Sequence, residues 1–394
     1  MDKFAAMCKP MQERMQVRIE WRDAMSSIAP SQWNALLVDD HPFVRHQFLA
    51  ALETSGSLRA ELGWRAHHLT LWHDEQLIGA APCYVKGNSH GEFVFDWNWA
   101  EAYEGAGGRY YPKLLCAVPY SPVTGPRLLA GGGDNRHDIQ RQLIAAMRAH
   151  CDAKKWSSVH LNFATGEEAA QPQFADDAWL PRFDWQYHWR NRGYADFEAF
   201  LAALIGKKRK NIRQERARFR TGDWLIERVP GKAIDAELMG DIYHFYASTF
   251  IAKGNVPALT RAFFDQLLSA LPESVLAVVA TRNGERIGAA FCLRSSDTLY
   301  GRYWGCSEEV PGLHFECCYY QGIEYCIEQG LQTFEPGAQG EHKIARGFLP
   351  TRMHSRHYLR DPGFRDAIAE YLQQEEAHQL RYRDLLLEHS PFSA

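Results

Sequence analysis

The pattern of apolar and polar positions in the later part of the chain predicts an irregular order of strands and helices. Short apolar runs bounded by turn residues indicate strands, and a 3.6-residue period indicates helices. In chain order these are a strand over 224–229, helices over 235–250 and 260–271, strands over 274–280, 286–294 and 298–305, a helix over 313–329 and a strand from 331. Thr260 is a favourable N-cap and Gly330 a favourable C-cap. This order predicts an α/β fold of the α+β kind, without the strict alternation of a doubly wound sheet.

The earlier part of the chain repeats this pattern at an offset of 209 residues (287 − 78 = 209). In both parts an apolar run, a turn and a second apolar run predict a β-hairpin. The matches in this register are Ile78–Ala81 with Ile287–Ala290, Cys83 with Cys292, and Tyr110-Tyr111 with Tyr319-Tyr320. Three matches in one register predict a duplication, and therefore two tandem domains, each a mixed, mostly antiparallel sheet flanked by helices.

Domain boundaries follow from the same pattern. We predict a first domain over 1–182, which begins with a strand over 17–21 and a long helix over 32–54. A second domain over 183–360 includes a basic helical segment over 195–220. Residues 361–394 are predicted to form a charged amphipathic helix that packs on the rest of the chain.

Composition narrows the class of protein. A length of 394 residues fits two domains, and a net charge of −4 disfavours nonspecific nucleic-acid binding by the whole molecule. The nine cysteines include no CxxC pair and no zinc-type spacing, which indicates reduced thiols and no metal site. No segment has the apolar length of a signal peptide or a membrane span. These features predict a cytoplasmic globular protein.

Two segments concentrate candidate chemistry. The first is a basic run that could be a solvated helix face or a contact for phosphates: Lys207, Lys208, Arg209, Lys210 and Arg213. In the second, Gly337 and Gly340 allow close backbone approach or positive φ. They frame a cluster of acid, base and positive charge, namely Glu341, His342, Lys343 and Arg346. A His or Glu there could accept an amine proton and a cation could hold an oxyanion or phosphate, while a solvated charged loop is the alternative.

The element order resembles that of the Gcn5-related N-acetyltransferase (GNAT) fold, and the duplication resembles the Fem-type aminoacyltransferases, which carry two such domains. The segments that carry the resemblance are the basic run from Lys207, Leu313–Glu316, Cys318–Tyr320 and Phe334–Phe348, together with Gly91–Trp97 and Tyr110–Leu114. The chain is most similar to the FemAB-like branch labelled peptidoglycan biosynthesis/recognition.

This resemblance implies transfer of an acyl or aminoacyl group onto a small-molecule or peptide amine. The donor co-substrate would be aminoacyl-tRNA or acyl-CoA, with no tightly bound cofactor and with tRNA as a candidate partner. Candidate catalytic residues are Glu316, Glu341, His342 and Lys343, and candidate substrate-binding residues are His314, Tyr320, Gly337, Gln339, Gly340, Arg346 and Asp96. The candidate phosphate or tRNA contacts are the five residues of the basic run. Glu316 could equally be a helix-end residue favoured by the helix dipole. We expect Tyr320 in a cleft and Tyr319 in the core.

Two other functions stay open on sequence grounds. One is an acyl-CoA-dependent N-acetyltransferase of a small amine. Its usual Gln/Arg-x-x-Gly-x-Gly signature is absent, and Glu308 and Glu309 stand where phosphate would bind. The glycine-rich stretch Gly105–Gly108 is equally well an ordinary turn. The other is a noncatalytic binding protein on the duplicated fold.

Overall fold

A computed structural model of the chain describes residues 17–175, 178–220, 222–338 and 340–392. The first half contains the strands β1 (Val17–Arg22), β2 (Trp64–Ala66), β3 (His68–His73), β4 (Gln76–Ala81), β5 (Cys83–Lys86), β6 (Lys113–Cys116), β7 (Ser158–Ala164) and β8 (Trp179–Arg190). Its helices are α1 (Pro30–Asn34), α2 (His46–Thr54), α3 (Trp97–Gly105), α4 (Arg136–Lys154) and α5 (Gly166–Ala169).

The second half begins after β8. Its helices are α6 (Phe197–Ala202), α7 (Gly206–Ala217), α8 (Ala236–Ile251), α9 (Arg261–Ala270), α10 (Leu313–Phe315) and α11 (Gln321–Gln329), followed by the C-terminal helix α12 (Pro362–Glu388). Its strands are β9 (Trp224–Pro230), β10 (Val275–Arg282), β11 (Glu285–Arg294), β12 (Thr298–Cys306), β13 (Thr333–Glu335) and β14 (Leu349–Leu359).

The strands form a small sheet and a large one. The small sheet has the order β1-β3-β4, and the large sheet has the order β2-β5-β6-β7-β14-β8-β13-β12-β11-β10-β9. Most neighbours are antiparallel, but β6 and β7 are parallel, and so are β12 and β13. The predicted mixed sheets flanked by helices are therefore confirmed.

The two halves exchange their last strands. β8 ends the first half, yet it pairs with β13 and β14 of the second half. β14 ends the second half and pairs with β7 of the first. The predicted division at residue 182 thus falls inside β8, a strand that serves both halves. A shared core reinforces this connection, since Phe48 of α2 packs edge-on against Phe263 of α9.

The predicted hairpins occur in both halves, as β3–β4 and β10–β11. Asn283 and Gly284 take positive φ in the second turn, as a tight hairpin turn requires. The third match of the repeat is wrong. Tyr110 lies just before β6, whereas Tyr319 lies in the helical segment after β12. The register changes because 26 residues separate β5 from β6, against three between β11 and β12.

The single helix expected over 32–54 is also wrong. The segment forms α1, a short 3₁₀ turn over Pro42–Val44, and α2. Proline interrupts a helix because it lacks the N–H donor and clashes with the preceding turn. Because of this interruption, His41 lies in a loop at the junction of the two halves.

The second-half helices closely follow the expected pattern. The side chains of Asp235 and Thr260 accept N-terminal backbone hydrogen bonds from α8 and α9, and Gly330 ends α11 with φ 69°. The basic segment divides into α6 and α7, and Ile205 precedes α7 in an extended conformation. Between α10 and α11, Glu316–Tyr320 forms a π-helical turn. Such turns are rare and are often found at functional sites.

Candidate functional site

Lys343 is a buried lysine without a carboxylate partner among the described residues. It lies in a 3₁₀ helix over Glu341–Arg346, its side chain is 2% exposed, and its Nζ donates to the Gly337 carbonyl oxygen at 2.7 Å. Burial and then the charge of Arg302 lower the pKa of Lys343 to about 7. The amine can therefore gain or lose a proton near neutral pH, which suits it to acid–base or oxyanion chemistry.

The glycine loop before Lys343 has the backbone geometry that the sequence indicates. Gly337 and Gly340 take φ angles of 92° and 114°, which favour glycine. A Cβ on Gly340 would lie 2.5 Å from Cε1 of His342, so the histidine ring needs a glycine there. Between these two glycines, Gln339 lies outside the described residues. Glu341 is exposed and accepts a hydrogen bond from Tyr382 of α12.

An aromatic cluster surrounds His342. Its Nε2 lies 2.9 Å from the Tyr319 hydroxyl oxygen, and its ring is 6.3 Å from that of His314. Burial, followed by the neighbouring His342 and Lys343, lowers the pKa of His314 to about 4. Burial and Arg346 lower the pKa of the more exposed His342. Both imidazoles are therefore neutral at neutral pH, so either could accept a proton.

Arg346 has its donors occupied inside the protein. Its Nη2 bonds to Glu215 at 2.9 Å, its Nε to the Tyr320 hydroxyl at 2.9 Å and its Nη1 to the His342 carbonyl at 2.9 Å. The guanidinium also lies 3.5 Å from the ring centre of Phe315. The expected cleft position of Tyr320 is wrong, because its ring has no exposed surface. The pair of Arg346 with Glu215 therefore connects the 3₁₀ helix to α7.

Glu316 forms a second connection to α7. It is 3% exposed and receives hydrogen bonds from Arg216 at 3.2 Å and from Gln321 at 2.7 Å. Arg216 also bonds to Glu324 at 2.7 Å. A carboxylate that is buried and paired in this way favours a positioning role over the catalytic role expected from the sequence.

The basic run divides into two groups on the structure. Arg209 donates to the carbonyls of Leu201, Ala202 and Leu204, and so closes the end of α6. Arg213 pairs with Glu198. The side chains of the others, Lys207, Lys208 and Lys210, form no hydrogen bond or ion pair with a described residue, and Lys207 and Lys210 are exposed. Of the five residues of the basic run, these three lysines therefore keep an uncompensated charge that could bind a phosphate.

Asp96 belongs to a separate network in the first half. It is 2% exposed, accepts from the Tyr110 hydroxyl at 2.6 Å, and pairs with Lys113. Lys113 also lies 2.9 Å from Glu92. Burial opposes ionisation of Asp96, but Lys113 and His160 outweigh it and hold the pKa below its ordinary range. The structure therefore does not place Asp96 with Lys343.

Three residues of this region were not singled out as site residues from the sequence. Glu215 and Arg216 lie on the inner face of α7, and Arg302 of β12 pairs with Glu335 at 3.0 Å. The spacing of Ile212, Arg216 and Phe219 along one helix face could have indicated the first two. Nothing local marks Arg302, since its role arises from pairing between distant strands. Among the described residues, no group of three or more His, Cys, Asp or Glu side chains could hold a metal ion.

Comparison with solved structures identifies the class of fold. The structure titled FemX aligns with 89% of this chain and 100% of its own, at 12% identity and a TM-score of 0.52. A conserved protein of unknown function from Bacteroides thetaiotaomicron VPI-5482 aligns with 86% of this chain and 99% of its own, at 14% identity and a TM-score of 0.49. L-PGS from Bacillus licheniformis aligns with 83% of this chain and 96% of its own, at 12% identity and a TM-score of 0.48. The alignment with FemX, which has a TM-score above 0.5, shows that this chain shares the fold of FemX.

The family is defined by sequence. The profile of the FemAB_like family, described as peptidoglycan biosynthesis/recognition, matches residues 24–394, and the chain belongs to this family. The resemblance inferred from the motifs is therefore confirmed. No curated protein matches the chain in sequence. In the described part of the chain, no helix has the length and apolar character needed to cross a bilayer.

Proposed function

We propose that this protein transfers an acyl or aminoacyl group from an activated carrier to an amine, and that the reaction takes place beside Lys343. The observation that carries the proposal is a buried lysine with a pKa of about 7, next to a neutral histidine. Membership of the FemAB_like family supports the reaction class. Glu316 and Arg346 would position this centre, while Lys343 and His342 would act on the substrates.

In the proposed reaction the amine nitrogen attacks the acyl carbon and forms a C–N bond. The C–O bond of an ester donor, or the C–S bond of a thioester, then breaks. If Nε2–H of His342 donates to Tyr319, its Nδ1 keeps a lone pair that can accept the amine proton. Protonated Lys343 would stabilise the oxyanion and return a proton to the leaving group. Transfer of the amine proton from His342 to Lys343 through solvent then restores both side chains, so that the net proton lost by the amine is received by the released carrier.

Aminoacyl-tRNA is the donor that we favour over acyl-CoA. Lys207, Lys208 and Lys210 offer unpaired positive charge on α7, whose inner face holds Glu316 and Arg346 through Arg216 and Glu215. A phosphate backbone on α7 would lie on the element that positions the centre. By contrast, the segment before α10 carries Glu308, which is paired with Arg282, and this carboxylate disfavours a pyrophosphate.

A donor screen tests the proposal. Purified full-length protein is incubated with an aminoacyl-tRNA pool or an acyl-CoA pool and a mixture of amines, and amide products are identified by mass spectrometry. We expect product with aminoacyl-tRNA alone. Product from acyl-CoA alone would reverse the choice of donor, and no product with either pool would favour a noncatalytic binding protein.

The basic helix is tested by charge removal. The K207Q/K208Q/K210Q variant should bind tRNA more weakly and reduce the slope of log affinity against log salt by about 2–3, since each phosphate contact contributes roughly 0.7–0.9. R213Q is the matched control, because Arg213 is already paired with Glu198. Equal salt slopes for the triple variant and the wild type would exclude α7 as the contact.

A further inference from the structure

A polar cleft lies where the two halves meet. It has a volume of about 350 Å³ and receives His41 from the first half, His188 and Arg190 from β8, Asp297 and Tyr300 from the β12 region, and Glu335 from β13. Three of these side chains are buried: His41 and Glu335 are 5% exposed and His188 is 3% exposed. None of these residues was a candidate from the sequence. The strand exchange brings them together.

The floor of the cleft presents hydrogen-bond acceptors. Nε2 of His41 lies 2.8 Å from the Thr124 carbonyl and donates to it, which leaves Nδ1 without a hydrogen (tautomer assigned from this bond). That Nδ1 is buried and has no partner, and the same holds for Nδ1 of His188. In Glu335, Oε2 accepts from Arg302 at 3.0 Å, while the nearest ion-pair contact of Oε1 is His188 Nε2 at 3.9 Å. Nε2 of His188 also lies 3.4 Å from the side-chain oxygen of Gln186. No described donor reaches the two enclosed imidazole nitrogens or Oε1 of Glu335.

The charge state of the rings agrees with this assignment. Burial lowers the pKa of His41 to about 3, and burial with Arg190 and Arg302 lowers the pKa of His188 well below its ordinary value. Both rings are neutral, so each keeps one acceptor nitrogen. An unpartnered buried polar atom costs free energy, and a bound ligand that donates a hydrogen bond removes that cost.

The mouth of the cleft carries both signs of charge. The exposed Arg190 donates to the Thr333 hydroxyl and pairs with no carboxylate in the described ranges. Among the described residues, the carboxylate of Asp297 accepts hydrogen bonds from the hydroxyl groups of Ser295 and Thr298 and pairs with no cation. The charged residues of the lining have both signs: Asp39, Asp297 and Glu335 are acidic, whereas Arg190 and Arg352 are basic. A ligand that carries one positive and one negative group fits this lining better than a simple cation or anion.

The cleft adjoins the proposed reaction centre. Glu335 forms the cleft floor, and Gly337, two residues later, accepts the hydrogen bond from Lys343. Arg302 bonds to Glu335 and lowers the pKa of Lys343 by its charge. The cleft floor and Lys343 are therefore connected by three residues of chain, 335–337.

We propose that this cleft binds the acceptor substrate, a primary amine that also carries a carboxylate, with its ammonium group at Glu335 and its carboxylate at Arg190. The ammonium group would donate to Oε1 of Glu335, which no described donor occupies. This assignment of the substrate class rests on the proposed transferase function. Binding itself needs no donor and can be measured separately.

The test uses three probes of matched length with the full chain: 5-aminopentanoate, pentylamine and pentanoate, measured by titration calorimetry. In the wild type, 5-aminopentanoate should bind at least tenfold more tightly than either single-group probe. E335Q should weaken the affinity for pentylamine at least tenfold and leave the affinity for pentanoate unchanged. R190Q should weaken the affinity for pentanoate at least tenfold and leave that for pentylamine unchanged. E285Q, an exposed carboxylate on β11, is the matched control and should change none of the affinities.

Several outcomes would overturn the proposal: no binding of any probe, tighter binding of pentanoate than of 5-aminopentanoate, or unchanged pentylamine affinity in folded E335Q. If circular dichroism shows that E335Q fails to fold, the order of the three probe affinities in the wild type and the effect of R190Q still test the proposal. The transfer assay separates the two proposals. If the protein catalyses transfer but does not bind the probes selectively, the proposed role of the cleft is wrong. If it binds the probes with the expected selectivity but transfers no group from any donor, the proposed reaction is wrong.

Discussion

Lys113 in the first half and Lys343 in the second both have almost no exposed surface, but they are in opposite electrostatic environments. Lys113 in the first half is 0% exposed and Lys343 in the second is 2% exposed. Burial alone would lower both pKa values, but Glu92 and Asp96 outweigh it at Lys113 and raise the pKa there. Lys343 has only a carbonyl acceptor, and its pKa falls to about 7. Partners rather than burial therefore decide the direction of the pKa shift at these two lysines.

The largest effect expected from this comparison is on stability in the first half. K113M should lower the free energy of unfolding by about 3–5 kcal/mol, because it leaves the buried Asp96 carboxylate without its lysine partner. Denaturant unfolding at pH 7 measures the change, with the exposed K253M as control. A loss below about 1 kcal/mol would mean that the network contributes no more than a surface ion pair.

In the second half the main effect should be on activity. K343M should reduce kcat of the transfer reaction by about 10²–10³-fold, equivalent to roughly 2.7–4 kcal/mol of transition-state stabilisation. Its free energy of unfolding at pH 7 should not fall, since methionine replaces an unpaired buried amine. Full activity in this variant would remove Lys343 from the centre. A large loss of stability would show that Lys343, like Lys113, contributes to the stability of the fold.

The pH dependence of stability gives a smaller, signed effect. Between a folded pKa of about 7 and the ordinary value of 10.5, the unfolded chain binds a proton at Lys343 that the folded chain does not. Stability contributed at this site therefore rises with pH in that window, by at most about 1.4 kcal/mol per pH unit. The advantage of K343M over the wild type should be greatest below pH 7 and shrink toward pH 10. A constant difference between paired unfolding curves would contradict the lowered pKa.

The smallest effect is expected at Glu92. Burial raises the pKa of Glu92 to about 7 despite Lys113, so this carboxyl is only partly ionised at neutral pH. E92Q should therefore change the free energy of unfolding by less than about 1 kcal/mol. D96N should cost clearly more, because the Asp96 carboxylate is the one that stays ionised. Equal costs in the same denaturation assay would show that the two carboxylates share the charge.

The sequence predicts the fold well where the signals are local. Turn residues, helix caps and the apolar period predict the hairpins, Thr260 at the start of α9 and Gly330 at the end of α11. The two wrong predictions have physical reasons, a proline at position 42 and a long insertion before β6. The strand exchange is not readable locally, because either final strand could pair with either half.

Chemistry was less predictable than architecture. Glycines with positive φ pointed correctly to an unusual loop, and Lys343 proved to be buried within it. The sequence gives no sign that Arg346 and Glu316 would already be paired by Glu215 and Arg216, more than 90 residues away. Nor does it show His41, His188 and Glu335 in one cleft, since they come from three separate segments. Such sites depend on long-range pairing.

The pairing of β14 with β7 also affects when the sheet can be completed during synthesis on the ribosome. β7 ends at residue 164, but its neighbour β14 is complete only at residue 359, which is 195 residues later. At roughly 5–20 residues per second, this is a delay of about 10–40 s. Through that interval β7 has an open edge, where a chaperone or a second nascent chain can bind. The sheet of the first half thus remains incomplete on the ribosome until β14 has been synthesised.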